Sequence, residues 1–349
     1  MAEVERVAVI ATVRNEAATI DDLLHSLLVG TRQPDEIVVV DAGSTDGTYA
    51  ALQRWAARVP RLRVLAQAGC GRSEGRNLAI AATAARWIAV TDGGVRLDPG
   101  WLAALLAPME QAAGDPPDVV AGFFRMAPAT PFELALGATT LPLAREISPA
   151  SFLPSSRSVL FSRQAWAAAG GYPEWLDYGE DLVFDLALRR AGARFGWAPQ
   201  AIAYFRPRQS LAGFFRQYFR YARGDGKALL WPRRHAIRYA SYGALLALLA
   251  TVARAGRRPA GWAAAATIAV GAALYLRQPY RRLACPEDPA LQVSDWRDRL
   301  RILAWLPVLR LTGDLAKMLG YPVGRLWRRQ RRGAIPADPT APRYRLAIG

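Results

Sequence analysis

Apolar residues follow two rhythms along the first two hundred positions, and the rhythms alternate. Short apolar runs stand at 6–11, 36–41, 62–66 and 87–91, the clearest being Glu36-Ile-Val-Val-Val-Asp41 with its β-branched residues. Runs of this length and composition predict buried strands. Between them, apolar residues recur at helical spacing, as in Ile20, Leu23, Leu24, Leu27 and Leu28, which predicts helices over 17–29, 48–58 and 73–85. Strand, loop and helix in repetition predict an open α/β sheet, which binds ligands outside the carboxyl ends of its strands. The stretch 95–205 is less regular. It predicts helices near 99–112, 162–169 and 179–191, strands near 118–124 and 157–161, and a Pro-broken segment at 127–154.

Beyond residue 205 the pattern changes. Gln209–Arg223 carries one apolar stripe (Leu211, Phe214, Phe215, Tyr218, Phe219), with Arg216, Arg220 and Arg223 at i, i+4 and i+7. That is the pattern of an amphipathic helix at a membrane interface. Tyr239–Ala253 and Ala260–Leu276 are uncharged runs of 15 and 17 residues. A membrane span takes about 20 apolar residues and at least about 17. The two runs read as a short transmembrane hairpin; the alternative is a helix pair that is soluble or interfacial. Arg254, Arg257 and Arg258 in the connection weigh toward the alternative, because an outside loop is normally poor in Arg. Ile302–Val323 is apolar but holds Arg310, Asp314 and Lys317, which suits a helix lying in the interface. Residues 325–349 form a basic tail.

Charge separates the two halves further. The net charge is +16, yet residues 1–200 hold 18 arginines and 22 acids, a net of −4. Residues 201–349 hold 27 Lys and Arg against 7 acids, a net of +20. Such asymmetry admits a nucleic-acid or an anionic-membrane partner. Nucleic acid rests on charge alone, because the aromatics at 214–221 adjoin apolar runs rather than a soluble stacking face. Only Lys227 and Lys317 are lysines, and the planar guanidinium of the remaining cations suits phosphate. Hydrophobic residues at 52% exclude a disordered chain, and a mean hydropathy of +0.04 is too low for a polytopic transporter. Cys70 and Cys285 form neither a disulfide framework nor a metal quartet. The start, Met-Ala-Glu-Val-Glu-Arg, lacks the features of a secretory signal, so the N-terminal half is expected in the cytoplasm.

Candidate chemistry collects at the predicted strand ends. Thr12-Val-Arg-Asn-Glu16 follows the first strand, and Val40-Asp-Ala-Gly-Ser-Thr-Asp-Gly-Thr48 closes the second. An acid at a strand end can accept from a base N–H or a ribose hydroxyl, although Asp46-Gly47 also reads as a turn and helix cap. Arg72-Ser-Glu-Gly-Arg-Asn-Leu78 and Thr91-Asp-Gly-Gly-Val-Arg-Leu-Asp-Pro-Gly-Trp-Leu102 come next. Tyr178-Gly-Glu-Asp-Leu182 then places two carboxylates at a helix start, where exposed N–H groups favour the ionised form. Taken alone, that pair could be a helix cap. A nucleotidyltransferase would need a Gly-rich loop with Lys after the first strand, and Thr12–Glu16 has neither.

In order and spacing these segments resemble the large second family of inverting nucleotide-sugar glycosyltransferases, over about residues 5–230. The resemblance implies a GT-A catalytic domain, a Rossmann-like open mixed sheet, over 1–205. An amphipathic interface region over 206–236, a two-helix transmembrane hairpin over 237–277, and an interfacial helix with the basic tail over 278–349 would follow. It further implies that Thr12, Arg14 and Glu16 line the nucleotide, that Asp41 holds its base, and that Arg76 reaches the diphosphate or base. Asp181 is the implied general base beside Glu180. Thr12 stands where the family usually has Pro. Asp92 matches the first acid of the family's Asp-x-Asp, but Gly94 replaces the second, which commonly binds Mg²⁺ or Mn²⁺. Two possibilities stay open: a cation held through Asp92 and phosphate oxygens, or arginines in its place. Arg206 and Arg208 lie where many relatives have a metal-binding His. Gln217-Tyr-Phe-Arg-Tyr221 resembles the Gln-x-x-Arg-Trp of processive members and brings in Gln217 and Arg220 as donor-side residues. Asp314–Gly324 looks like the ending of membrane-bound bacterial members. The expected activity is transfer of a sugar from a nucleotide-sugar to a lipid-linked or cell-surface polysaccharide acceptor. The expected place is the cytoplasmic face of the membrane, with anionic lipid as the partner of the basic half. A non-catalytic scaffold derived from the same fold is the rival.

Overall fold

A computed structural model of the chain describes residues 6–112, 114–284, 292–293 and 295–341. Cys285 lies outside these residues; Cys70 is buried and free. The chain forms two compact units. The first contains the described residues through Ala127, then Ala144–Arg206 and the stretch from Gly333, and the second contains Pro128–Leu143 and Pro207–Arg332.

The first unit is built on one eight-stranded sheet in the order β3-β2-β1-β4-β7-β6-β8-β5. In chain order the elements are β1 (Val7–Val13), α1 (Ile20–Leu28), β2 (Glu36–Asp41), α2 (Thr48–Ala56), β3 (Leu62–Ala66), α3 (Arg72–Ala81), β4 (Trp87–Val90) and β5 (Val95–Leu97). There follow α4 (Trp101–Glu110) and β6 (Val119–Met126), and later β7 (Val159–Ser162), α6 (Arg163–Ala168), α7 (Glu180–Arg190) and β8 (Phe195–Phe205). Strands β1 to β4 are parallel, and β7 runs antiparallel to β4 and β6, so the sheet is open and mixed, as the expected GT-A architecture requires. Strand alternation sorts the core into two layers. Val7, Val9, Ala11 and Val13 pack with α1, α2 and α4 on one face, while Ala8 and Ile10 join the layer of α3, α6 and α7 on the other. Burial on both faces is why these strands read as continuous apolar runs.

Two strands were not expected. β5 has three residues and exists through its antiparallel pairing with β8, Val95 opposite Phe205. β8 contains Gly196 and Pro199, and its register against β6 jumps between Ala121 opposite Trp197 and Phe123 opposite Ile202. That irregularity interrupts the period-2 pattern. The N-terminus of α7 is capped by Gly179 at φ 79, so Glu180 and Asp181 are first-turn residues rather than its cap.

The second unit is helical: α5 (Pro131–Thr140), α8 (Leu211–Ala228), α9 (Pro232–Ala255), α10 (Pro259–Ala284) and α11 (Trp296–Gln330). The division departs from the expected boundary at 205, because α5 belongs here. Its Phe132 ring meets Trp305 edge-on at 5.0 Å, and Arg282 donates to the Ala138 carbonyl at 3.1 Å. The tail also divides, since α11 continues to Gln330 and the segment after Arg332 rejoins the sheet unit, where Arg190 pairs with Asp338.

The stripe on α8, expected to meet lipid, is in part covered by α11. Phe214 is 1% exposed, and a Cβ added at Gly313 would lie 3.1 Å from its ring. Farther along, Gly320 and Gly324 let the α11 backbone approach the carbonyls of Phe219 and Arg223. α9 and α10, of 24 and 26 residues and mean hydropathy 1.4, are long and apolar enough to cross a membrane. Asp314, the acid that set Ile302–Val323 apart, accepts from Arg238 of α9 at 2.8 Å and from Tyr275 of α10 at 2.6 Å.

The close approach of α8 and α11 gives a direct prediction. Gly324→Leu places a side chain on the Arg223 carbonyl, and backbone cannot move aside cheaply. Overpacking of this kind costs about 1–3 kcal/mol, so thermal denaturation in detergent should show a lowered midpoint. Gly243→Ala, whose Cβ meets nothing, should leave the midpoint unlowered or raise it slightly, since Ala suits a helix interior better than Gly.

Candidate active site

The carboxyl ends of β1, β2 and β4 meet, and the loops that leave them are tied together by side chains the sequence motifs supply. Asn15 adopts φ 57, a left-handed conformation that Asn tolerates better than most residues. Its N–H donates to Ser44 Oγ at 2.9 Å, and its Oδ1 accepts from the Thr45 N–H at 2.8 Å. The Glu16 N–H donates to Thr48 Oγ1 at 2.8 Å, and the Ala17 N–H to Asp46 Oδ2 at 3.1 Å. Asn15, Ser44, Asp46 and Thr48 therefore fasten the β1–α1 loop to the β2–α2 loop. This accounts for Asp46-Gly47 as turn chemistry, with Gly47 the cap of α2 at φ 96.

Asp41 ends β2 opposite Val13 and is 3% exposed. Its Oδ1 accepts from the N–H groups of Gly43 and Ser44, each at 2.9 Å. Its Oδ2 is buried with no hydrogen-bond partner among the described residues. A buried carboxylate oxygen without a donor is costly, so this atom is one that a hydrogen-bond donor would stabilise. Thr12 Oγ1, near the end of β1, is likewise buried and unpartnered. A Cβ at Gly75 of α3 would fall on the Thr12 side chain, so the small residue there is what lets α3 close against β1. Arg14 is exposed on the loop and Glu16 is half-buried, its Oε2 accepting from Thr19 Oγ1 at 2.8 Å.

A second group joins β4, α3 and α7. Arg76, 3% exposed, donates from Nη2 to Asp92 Oδ1 at 2.9 Å and from Nη1 to Glu180 Oε1 at 3.0 Å, with Tyr172 beneath its guanidinium at 5.1 Å. Asn77 braces the segment that leads to α7, donating to the Tyr172 carbonyl and accepting from the Tyr172 N–H, both at 2.9 Å. Arg157, just before β7, brings its Nε to 3.6 Å from Asp92 Oδ2 and lies over the Phe205 ring at 4.5 Å. Arg72 stands 3.9 Å from Glu180 and over the Tyr178 ring at 4.7 Å. The neighbouring acids of α7 are thus separated: Glu180 is buried on Arg76, whereas Asp181 is only half-buried, its Oδ1 accepting from the Leu182 N–H at 2.9 Å.

Electrostatics divides these carboxyls further. Burial works against ionisation of Asp92, but Arg76, Arg157 and Arg72 outweigh it and hold the carboxyl below the usual range. Asp181 goes the other way: burial and the Glu180 charge push it up to about 6. Asp185, one turn on and 3% exposed, is raised well above the usual value by burial and by Asp181. Carboxyls pushed apart in this way allow one to stay a fixed charge while another exchanges protons.

The residues around Asp92 do not fit a divalent cation. Mg²⁺ and similar hard ions take several oxygen ligands. Asp92 presents each of its oxygens to a guanidinium, Gly94 contributes no side chain, and the described residues contain no cluster of three or more His, Cys, Asp or Glu. A Cβ at Gly94 would lie 3.2 Å from Glu16 Oε2, so Glu16 leaves little room for an acid there. Arg206 follows Phe205, which pairs with Val95, and so comes level with Gly94. Arg208, Gln217 and Arg220 belong to the helical unit; Arg208 and Arg220 are exposed, and Gln217 donates to the Tyr221 hydroxyl at 2.8 Å. Arg157 and Asp185 were not singled out from sequence. Arg157 is one arginine among 18 in the first 200 residues, and neither residue belongs to a motif.

A model of Glycosyl transferase family 2 matches residues 8–153. The succinoglycan biosynthesis protein ExoA of Rhizobium meliloti (strain 1021) is 30% identical over 315 residues, covering 82% of this chain and 92% of that protein. With the sheet, its loops and these matches together, the chain belongs to glycosyltransferase family 2 and is a glycosyltransferase. Among solved structures, the mannosyltransferase PcManGT from Pyrobaculum calidifontis, in complex with GDP-Man and Mn²⁺, has a TM-score of 0.61 at 22% identity. It covers 91% of this chain and is itself covered to 88%, a likeness of fold.

Arg76 is the cation on which this arrangement balances. Arg76→Gln leaves Glu180 and Asp92 without their shared partner. Breaking a buried ion pair from one side costs about 3–5 kcal/mol, so chemical denaturation should register a loss of that order.

Proposed function

We propose that the chain transfers a sugar, with inversion, from a nucleotide-sugar to a lipid-linked or cell-surface polysaccharide acceptor at the cytoplasmic face of a membrane. The observation that carries the proposal is the pairing, at one edge of the sheet, of an unpartnered Asp41 Oδ2 with the Arg76–Asp92–Glu180–Asp181 group. The nucleotide base donates to Asp41 Oδ2, with Thr12, Arg14 and Glu16 along its path. The diphosphate extends toward Asp92, where Arg157 stands, and Arg206 reaches it from the end of β8. The part played by ExoA in succinoglycan biosynthesis supports a polysaccharide or its lipid-linked precursor as acceptor. The apolar helices α9 and α10, and the exposed Leu311, Leu315, Leu319 and Val323 along α11, support membrane attachment, with the basic half meeting anionic lipid.

In the reaction the acceptor oxygen attacks the anomeric carbon as the bond to the diphosphate breaks, its electron pair leaving with the diphosphate oxygen. Asp181 takes the proton from the acceptor hydroxyl. Its half-buried place on the first turn of α7 leaves it in part accessible, and a base with a pKa near working pH combines ionisation with proton affinity. Glu180, buried on Arg76, is a positioning residue: it orients α7 against α3 and leaves Asp181 to the acceptor.

Asp181→Asn should abolish transfer while nucleotide-sugar binding persists. Transfer assays on lipid-linked acceptors, run beside equilibrium binding, measure both; near-normal turnover in the variant removes Asp181 from the mechanism. In the wild type, the base works only when ionised. With its carboxyl pushed up to about 6, kcat/KM should be flat above that pH and fall about tenfold per unit below it.

A further inference from the structure

We propose that this transferase works without a divalent cation, Arg157 and Arg206 supplying at the leaving diphosphate the positive charge that a metal would otherwise bring. The proposal rests on the nucleotide-sugar reading above and deepens it. Four observations lead to it.

The first is the state of Asp92. Its Oδ1 is 2.9 Å from Arg76 and its Oδ2 3.6 Å from Arg157. A cation reaching either oxygen must approach a guanidinium of like charge, and Arg76 cannot withdraw because Glu180 holds its other nitrogen at 3.0 Å. The second is Gly94, where a glycine stands level with Arg206 and close to the Glu16 carboxylate. The third is the support of Arg157. The Phe205 and Phe124 rings lie 4.5 and 5.8 Å from its guanidinium, and its side chain is 23% exposed, so it is braced yet accessible in part. The fourth is chain order: Phe205, which lies against Arg157, ends β8, and the exposed Arg206 follows it.

These facts fit a guanidinium clamp. Arginine offers five N–H donors in a planar fork and cannot lose its charge in the accessible pH range. Donors fixed beforehand at a developing anion lower the barrier without reorganising during the reaction. Asp92 then keeps Arg157 in place and has no need to ligate. When the anomeric carbon–oxygen bond breaks, the electron pair passes to the diphosphate oxygen, and the arginine N–H groups stabilise it without a proton changing hands.

The full chain in detergent decides the matter with nucleoside diphosphates as probes. UDP, GDP, TDP, ADP and CDP are titrated in excess chelator and again in Mn²⁺, with the Mn²⁺ spectrum followed by electron paramagnetic resonance. The expected result is one preferred nucleotide, with Kd within about twofold in the two conditions and a Mn²⁺ signal unchanged by added protein. Loss of charge-assisted hydrogen bonds corresponds to about tenfold or more in affinity. Arg157→Ala should therefore weaken binding in chelator by that factor, with no recovery in Mn²⁺, while Arg157→Lys retains most of it. Binding that disappears in chelator and returns with Mn²⁺ overturns the metal-free proposal and leaves the nucleotide-sugar reading intact. So does wild-type affinity in Arg157→Ala. Failure of every nucleotide to bind in both conditions removes the nucleotide-sugar reading and this proposal with it. The wild-type comparison stands even if the alanine variant does not fold.

Discussion

One buried guanidinium organises the site. Arg76 is nearly inaccessible, and a buried cation is tolerated only where paired charges and hydrogen bonds replace its water. Its two partners are remote in sequence, Asp92 at the end of β4 and Glu180 at the start of α7. Satisfying Arg76 therefore fixes α3, the β4 end and α7 with respect to one another. It also assigns the acids of α7: Glu180 is committed to the interior, and Asp181 is left half-buried. Asp92 in turn aligns Arg157, so the chain of charges runs from the buried Arg76 out to Arg157.

The loops at the other end of the site solve a related problem. A nucleotide needs a pocket whose walls are irregular backbone, and such backbone must have its polar groups satisfied. Asn15, Ser44, Asp46 and Thr48 do that by fastening two loops across their N–H groups. Much of the motif at residues 12–48 is thus structural. What remains without a partner, Asp41 Oδ2 above all, is the part the proposed function gives to the nucleotide. The excess of arginine has the same double character. Some of it lies on the helical unit that supports membrane attachment, and some of it, Arg72, Arg76 and Arg157, is inside the sheet unit among acids.

The alternation β1-α1-β2-α2-β3-α3-β4 was legible because each element is local, its period visible within a dozen residues. Asp41, Asp92, Arg76, Glu180 and Asp181 were legible because they sit in short motifs at element ends. Arg157 was not, since only the pairing of β7 with β4 brings it to Asp92. β5 and β8 were missed for a similar reason: three residues and a strand with a broken register carry no period, and each depends on its distant partner. The stripe on α8 was read correctly as apolar, but its occupant was not foreseen. Gly313 on α11, nearly a hundred residues away, lies against Phe214, and Gly320 and Gly324 let the two helices close farther along. Asp185 escaped because an acid within a helix looks like a solvated face until the packing of α7 buries it.

The account stands or falls on where a nucleotide lies. A structure of the full chain with its preferred nucleoside diphosphate tests this most directly. The base should donate to Asp41 Oδ2, and the diphosphate should lie against Arg157 and Arg206, with no metal ion bridging it to Asp92. A nucleotide bound away from Asp41, or a diphosphate reaching Asp92 through a cation with Arg157 displaced, would contradict it.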